Sequence, residues 1–287
     1  SGFEILDLAN SVAVYNVTMT PTQLAQFTGT NLINGTDDVV TMSTTGTITG
    51  QPVLLNYALA NGAAGNTFNG NDSALSISVT GGSANSTYNM GTRLDANDTV
   101  TGTAGTADVM NVTGTGTGAN TITAIETINF TTSTAAQTLT TGAIALPAAG
   151  TITAAGSTVG VTINAGALNL TTSGTIIDGQ GNDTITVPTV DAERVLLTVT
   201  LSTGGADSIN LVNTAAATAV NGVTINNFTT GGSANADTFN LTLGDGDQAT
   251  GYQVVTGLAT AIAVDAQMVE ITSAAGVVSA FDAADGG

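Results

Sequence analysis

The segment Asp178-Gly179-Gln180-Gly181-Asn182-Asp183-Thr184-Ile185-Thr186 sets two carboxylates five residues apart around a turn that carries two glycines. Oxygen is the ligand atom such a turn offers, from the Asp side chains and from carbonyls that glycine can aim by taking φ > 0. Hard divalent cations, calcium above all, gather six to eight oxygens at about 2.3–2.6 Å. The segment follows the calcium-binding pattern Gly-Gly-x-Gly-x-Asp-x-apolar-x except at its first position, where Asp178 replaces glycine. Asp178, Asp183 and the carbonyls of Gly179 and Gly181 are therefore the first candidate metal ligands. A plain Gly/Asn/Asp turn between two strands is the competing explanation.

The same turn-plus-strand unit recurs in looser form. Asp38 closes Asn34-Gly35-Thr36-Asp37-Asp38, Asp98 closes Asp95-Ala96-Asn97-Asp98, and Asp108 closes Gly105-Thr106-Ala107-Asp108. Asp207 and Asp237 close Gly204-Gly205-Ala206-Asp207 and Ala234-Asn235-Ala236-Asp237. After each comes an alternation of apolar and polar residues, the mark of a half-buried strand. Asp245-Gly246-Asp247 also has ligand-like spacing, but it lacks the downstream Glu of an EF-hand loop. For that pair and for Asp37-Asp38 a solvated turn competes with metal binding. The Asp-to-Asp spacing varies, from ten residues between Asp98 and Asp108 upward, so a continuous ladder of ions is disfavoured against a few separate clamps.

Charge balance supports a cation partner. Arg93 and Arg194 are the only cationic side chains against 21 carboxylates, a formal charge of −19. Charge of that size opposes compaction unless it is compensated. The apolar content, 42% of residues, argues against disorder, which leaves bound Ca²⁺ as the economical compensation. The shortage of Lys and Arg argues against nucleic acid as a partner, and against an anionic membrane surface. No apolar run is long enough for a membrane-spanning helix. With no Cys, disulfides and thiolate metal sites are excluded.

Catalysis has little to work with. His and Cys, the commonest base and nucleophile, are absent, so no enzyme activity is expected. A β-helical polysaccharide hydrolase or lyase using paired carboxylates remains conceivable, but sugar platforms are scarce, with no Trp and four Tyr. Glu126, inside Ile125-Glu126-Thr127-Ile128, is expected on an outward strand face rather than reaching a turn on a neighbouring coil. Each arginine is expected to serve a local ion pair. Asn-x-Ser/Thr triplets such as Asn85-Ser86-Thr87 are acceptors for glycans if the chain meets the machinery, although an Asn/Thr-rich chain produces them by chance.

The elements that must position these turns are strands. Thr and Val favour strands, Gly and Asn mark turns, and long helix-forming stretches are missing. Segments such as 121–130, 160–170 and 220–228 read as strands of one module stacked many times, which predicts an all-β fold, an irregular parallel β-solenoid. Thr20 and Pro21 predict one short helical turn, with Thr20 as its N-cap. The Thr/Ala-rich stretch 131–156 carries no Asp and reads as solenoid turns without metal. A boundary near Pro147 would divide the chain into an N-terminal β-rich region, 1–146, and a C-terminal solenoid region with the calcium-type turns, 147–287; one continuous domain is the alternative.

The nonapeptide at Asp178, the turn Gly105-Thr106-Ala107-Asp108-Val109-Met110-Asn111-Val112 and the strand Ile122-Thr123-Ala124-Ile125-Glu126-Thr127-Ile128-Asn129-Phe130 together resemble bacterial surface-layer proteins of the repeats-in-toxin class. The resemblance implies type I export without a cleaved N-terminal signal, calcium-triggered folding outside the cell, and self-assembly into a surface lattice. A filament is the variant, and a cell-surface polysaccharide or glycan is the implied anchor. An adhesin module of a larger secreted chain, binding a glycan, is the second reading.

Overall fold

Thr-Ile-Thr and Thr-Val-Thr triplets recur along the chain, and each buries its middle residue. Val100, Ile122, Ile152 and Ile185 are fully buried, while the threonines on either side stay partly exposed. In the computed structural model, which describes residues 6–7, 16–27, 32–33, 39–50, 56–70, 76–91, 94, 98–103, 107–113, 115–116, 121–131, 136–140, 143–194, 196–213, 223–228, 236–243, 270–272 and 278–280, these triplets build three parallel sheets. The first has eight strands, from Asn16–Met19 at one edge to Leu168–Leu170 at the other. The second has nine, from Thr47–Thr49 to Thr224–Asn226, and the third has six, from Thr115–Gly116 to Thr238–Leu243.

The chain visits the sheets in rotation. Thr99–Thr101 lies in the first, Val109–Val112 in the second, Thr115–Gly116 in the third, and Thr121–Thr123 returns to the first beside Thr99–Thr101. This is a parallel β-solenoid, as the strand pattern predicts. One coil takes between 17 residues, from Val39 to its partner Asn56, and 30, from Ser208 to its partner Thr238. The variable coil length accounts for the irregular Asp spacing. Asp98 and Asp108 occupy two successive corners of one coil, whereas Asp183, Asp207 and Asp237 occupy one corner of three successive coils.

Each sheet contributes an inward column. Val79, Val100, Ile122, Ile144 and Leu168 stack in the first, Met110, Ile128, Ile152, Ile176 and Val199 in the second, and Leu139, Ile163, Ile185 and Ile209 in the third. All lie in one continuous core, and burying each such side chain contributes about 1.5–3 kcal/mol. Outside, Asn69, Asn89, Asn111 and Asn129 form an amide ladder across the second sheet, with each later amide donating to the previous Oδ1 at 2.7, 2.7 and 3.2 Å. On this face the coils are joined by neutral amides.

Two segments read as single strands are in fact corners. Residues 121–130 divide into Thr121–Thr123 and Thr127–Phe130, in different sheets, with Ala124 between them at φ 52°. Ile122, Ile125 and Ile128 are all buried, a spacing of three that no straight strand could bury on one face. Residues 160–170 divide in the same way into Val161–Asn164 and Leu168–Leu170. Pairing runs across Pro147 in all three sheets: Thr127–Phe130 pairs with Thr151–Thr153, Gln137–Thr140 with Val161–Asn164, and Ala143–Leu146 with Leu168–Leu170.

Two short helices stand at sheet edges. Pro21–Leu24 has the expected N-cap at Thr20, and the structure adds a capping box, in which Thr20 Oγ1 accepts from Gln23 N–H and the Gln23 side chain accepts from Thr20 N–H. It packs near Thr47–Thr49, the last strand of the second sheet. Asp191–Arg194 packs on Leu168–Leu170, the last strand of the first. Each places a helix where an open strand edge would otherwise invite pairing.

Candidate metal centre

In every described copy of the unit, the closing Asp directly precedes a strand and its carboxylate serves the backbone of another coil or of its own turn. Asp98 Oδ1 accepts from Ile77 N–H at 2.8 Å. Asp108 accepts from Ser86 N–H at 2.5 Å and from Thr103 N–H at 2.7 Å. Asp183 accepts from Val161 N–H at 2.5 Å on the preceding coil and from Gly179 N–H at 3.0 Å in its own turn. Its own N–H donates to Asp207 Oδ1 at 2.9 Å, and Asp207 N–H donates to Asp237 Oδ1 at 2.9 Å. Asp183, Asp207 and Asp237 thus form a column at one corner that ties three successive coils together, while Asp98 and Asp108 make single ties at other corners. Charge-assisted bonds of this kind are the stronger ones.

Glu126 belongs to the same scheme. Its Oε2 accepts from Asp108 N–H at 2.7 Å, so it reaches the neighbouring coil's turn instead of standing on the outward face. The cause is the corner at Ala124, which shifts the inside-outside phase just before it. Arg194 is fully buried and its Nη1 donates to the carbonyls of Pro188 and Thr189, at 3.0 and 2.7 Å, stiffening the loop around the helix Asp191–Arg194. Asp38, Asp245, Asp247 and Arg93 lie outside the described residues.

At one place the column gathers charge. Asp178, Asp183 and Asp207 are each no more than 2% exposed, and one carboxylate oxygen from each lies within 4.8 Å of the others. Asp178 Oδ1 accepts from Ser202 N–H at 2.5 Å, across to the next coil. The remaining oxygens, Asp178 Oδ2 and Asp207 Oδ2, are buried and receive no hydrogen-bond donor. Two ionised carboxylates cannot satisfy each other, because both only accept. A proton or a cation between them is required by the chemistry of the site.

The electrostatics agree. Burial first, and then the charges of Asp207 and Asp183, push the Asp178 carboxyl up to about 9. Asp207 is pushed up to about 6, chiefly by burial and against the bond from Asp183 N–H, and burial also raises Asp183. Since the folded values lie above the unfolded ones, the metal-free protein is most stable where these groups are protonated. It loses that stability as pH rises from the ordinary carboxylate range toward about 9. Thermal melts in EGTA should therefore show a midpoint that falls from pH 5 to pH 9. Saturating calcium should remove most of that slope above neutrality, and a flat EGTA profile would count against a buried, uncompensated triad.

The triad differs from the expected ligand set in one respect. Asp207, read in sequence as the end of its own turn, joins Asp178 and Asp183 in a shared site because a 24-residue coil stacks Thr184 against Ser208. The glycines also shape the turn: Gly179 N–H donates to Asp183, and the Gly181 carbonyl packs against Gly205, where an added Cβ would lie 2.0 Å from that oxygen. Asp98, Asp108 and Asp237 do not form a group of three acids, and the triad is the one such cluster among the described residues. It could hold a metal ion.

Among the described residues no helix is long and apolar enough to cross a membrane. Comparisons of the chain with protein-family models, with curated proteins and with solved structures return no match.

Proposed function

We propose that the chain is a calcium-binding structural protein of a bacterial exterior, which self-assembles into a surface lattice or filament and performs no catalysis. The observation that carries this reading is the pair of buried, donor-less oxygens of Asp178 and Asp207 on successive coils, with Asp183 beside them. Three carboxylates with no nitrogen or sulfur ligand are a hard donor set. Calcium takes six to eight oxygens in flexible geometry, whereas magnesium demands a near-ideal octahedron and usually keeps several waters, so three protein carboxylates favour calcium. All three oxygens lie within 4.8 Å of one another, close enough for one ion to reach them all.

Bound there, calcium would neutralise most of the buried charge and join two coils through their carboxylates. Calcium affinity would then contribute to folding directly, since the site requires both coils in place. The resemblance to repeats-in-toxin surface-layer proteins supplies the location and the assembly. A chain with 21 carboxylates and two cationic side chains repels copies of itself, so association also calls for divalent ions.

The test is electron microscopy and light scattering of the purified chain in millimolar calcium and again after EGTA. Sheets or filaments that disperse on chelation are expected. A monomer at high concentration in calcium would overturn the lattice and favour the adhesin module instead.

A further inference from the structure

The carboxylate triad occupies a junction unlike those before it. The preceding coils stack through all three sheets: Ala143–Leu146 on Leu168–Leu170, Thr151–Thr153 on Gly174–Ile177, and Val161–Asn164 on Thr184–Thr186. The next step keeps two of these ladders, Gly174–Ile177 with Leu197–Thr200 and Thr184–Thr186 with Ser208–Asn213. Among the described residues the first sheet ends at Leu168–Leu170, and the helix Asp191–Arg194 stands where its next strand would be. Arg194 spends Nη1 on carbonyls of its own loop, and the segment is tied to the earlier coil by Thr189, whose N–H and hydroxyl donate to the Gly166 carbonyl at 3.2 and 3.1 Å, and by Gly174 N–H to the Leu196 carbonyl at 3.1 Å. A helix covers a strand edge without continuing its ladder.

At this thinner junction Asp178 belongs to the earlier coil and Asp207 to the later one; both carboxylates share the cluster with Asp183, and each keeps one buried oxygen that no hydrogen-bond donor meets. Further toward the N-terminus, the buried Asp98 and Asp108 are met by backbone N–H groups, and the coils are stacked by apolar columns and the Asn ladder. In a solenoid each coil touches only its neighbours, so stability is local and a weak junction opens on its own.

We propose that a divalent cation at Asp178, Asp183 and Asp207 is a latch, docking the coils from Leu197 onward onto a body of earlier coils that holds together without it. This rests on the calcium reading of the triad and adds where calcium acts. Chelation then releases one end of the solenoid and leaves the rest folded.

Hydrogen exchange of the full chain at buffered free calcium tests this, with calcium uptake measured on the same samples by isothermal titration. Above the dissociation constant, protection of residues 197–211 should rise about tenfold for each tenfold increase in free calcium, by mass action on the docked state. Protection of residues 121–170 should stay unchanged. In the double variant Asp178→Asn with Asp207→Asn, protection of 197–211 should no longer respond to calcium. Uptake of calcium with equal changes in both blocks, or in neither, overturns the latch while leaving the calcium reading intact. No uptake overturns both.

Discussion

Replacing Asp183 by alanine is expected to destabilise the calcium-loaded protein by about 3–5 kcal/mol, since a buried, hydrogen-bonded charge is removed and its partners are left unpaired. Val161 N–H and Gly179 N–H both donate to this carboxylate, and each is buried. Neither donor has water to turn to, and the loss of a cation ligand adds to the effect. Asp183→Asn should fall between, because its single carbonyl can accept from one of the two donors well while its amide meets the other as a second donor. In EGTA the alanine variant should lose less relative to wild type, since removing one of three crowded carboxylates also relieves repulsion. Urea denaturation followed by circular dichroism, with and without calcium, reads all three quantities. An alanine variant within about 1 kcal/mol of wild type in calcium would show that Asp183 does not organise the turn.

Gly205→Ala should be similarly severe, on the order of 3–4 kcal/mol, for two reasons that act together. Gly205 has φ +105°, a conformation that side chains rarely adopt, and its Cβ would lie 2.0 Å from the Gly181 carbonyl oxygen. Backbone cannot move aside as a flexible side chain does. Shifting it would separate the two turns whose aspartates make the triad, so calcium affinity should fall along with stability. Gly156→Ala is the matched control. Its Cβ would meet nothing within 4 Å, and the change should be neutral or stabilising by up to about 1 kcal/mol. Equal melting behaviour of the two alanine variants would contradict the steric account.

Much of this fold can be read from short-range pattern. Thr-Ile-Thr alternation identifies strands, the Asp-closed turns identify their starts, and Thr20-Pro21 identifies the first helix; all of these are local signals. Coil closure is not local. Nothing within residues 121–130 signals that Ala124 turns the chain from one sheet to the next, because Ile125 continues the apolar run without a Gly or Pro. The outward placement expected for Glu126 fails for that reason. The site was half visible: Asp178 and Asp183 share a turn, but Asp207 joins them only through a coil of 24 residues, a length that varies along the chain. The repeated pattern Asp-Thr-Ile-Thr at Asp183, Asp-Ser-Ile-Asn at Asp207 and Asp-Thr-Phe-Asn at Asp237 is the signal that these turns stack on one corner. Helix Asp191–Arg194 gives no such signal, because four residues between strands carry too little periodicity to stand out.

The most direct measurement is a calcium titration of the wild-type chain beside the double variant Asp178→Asn with Asp207→Asn, by isothermal calorimetry at neutral pH. Saturable binding in the wild type, with one site fewer in the variant, is the predicted result. Identical stoichiometry and affinity in both proteins, or no calcium uptake by the wild type, would contradict a cation held between Asp178 and Asp207.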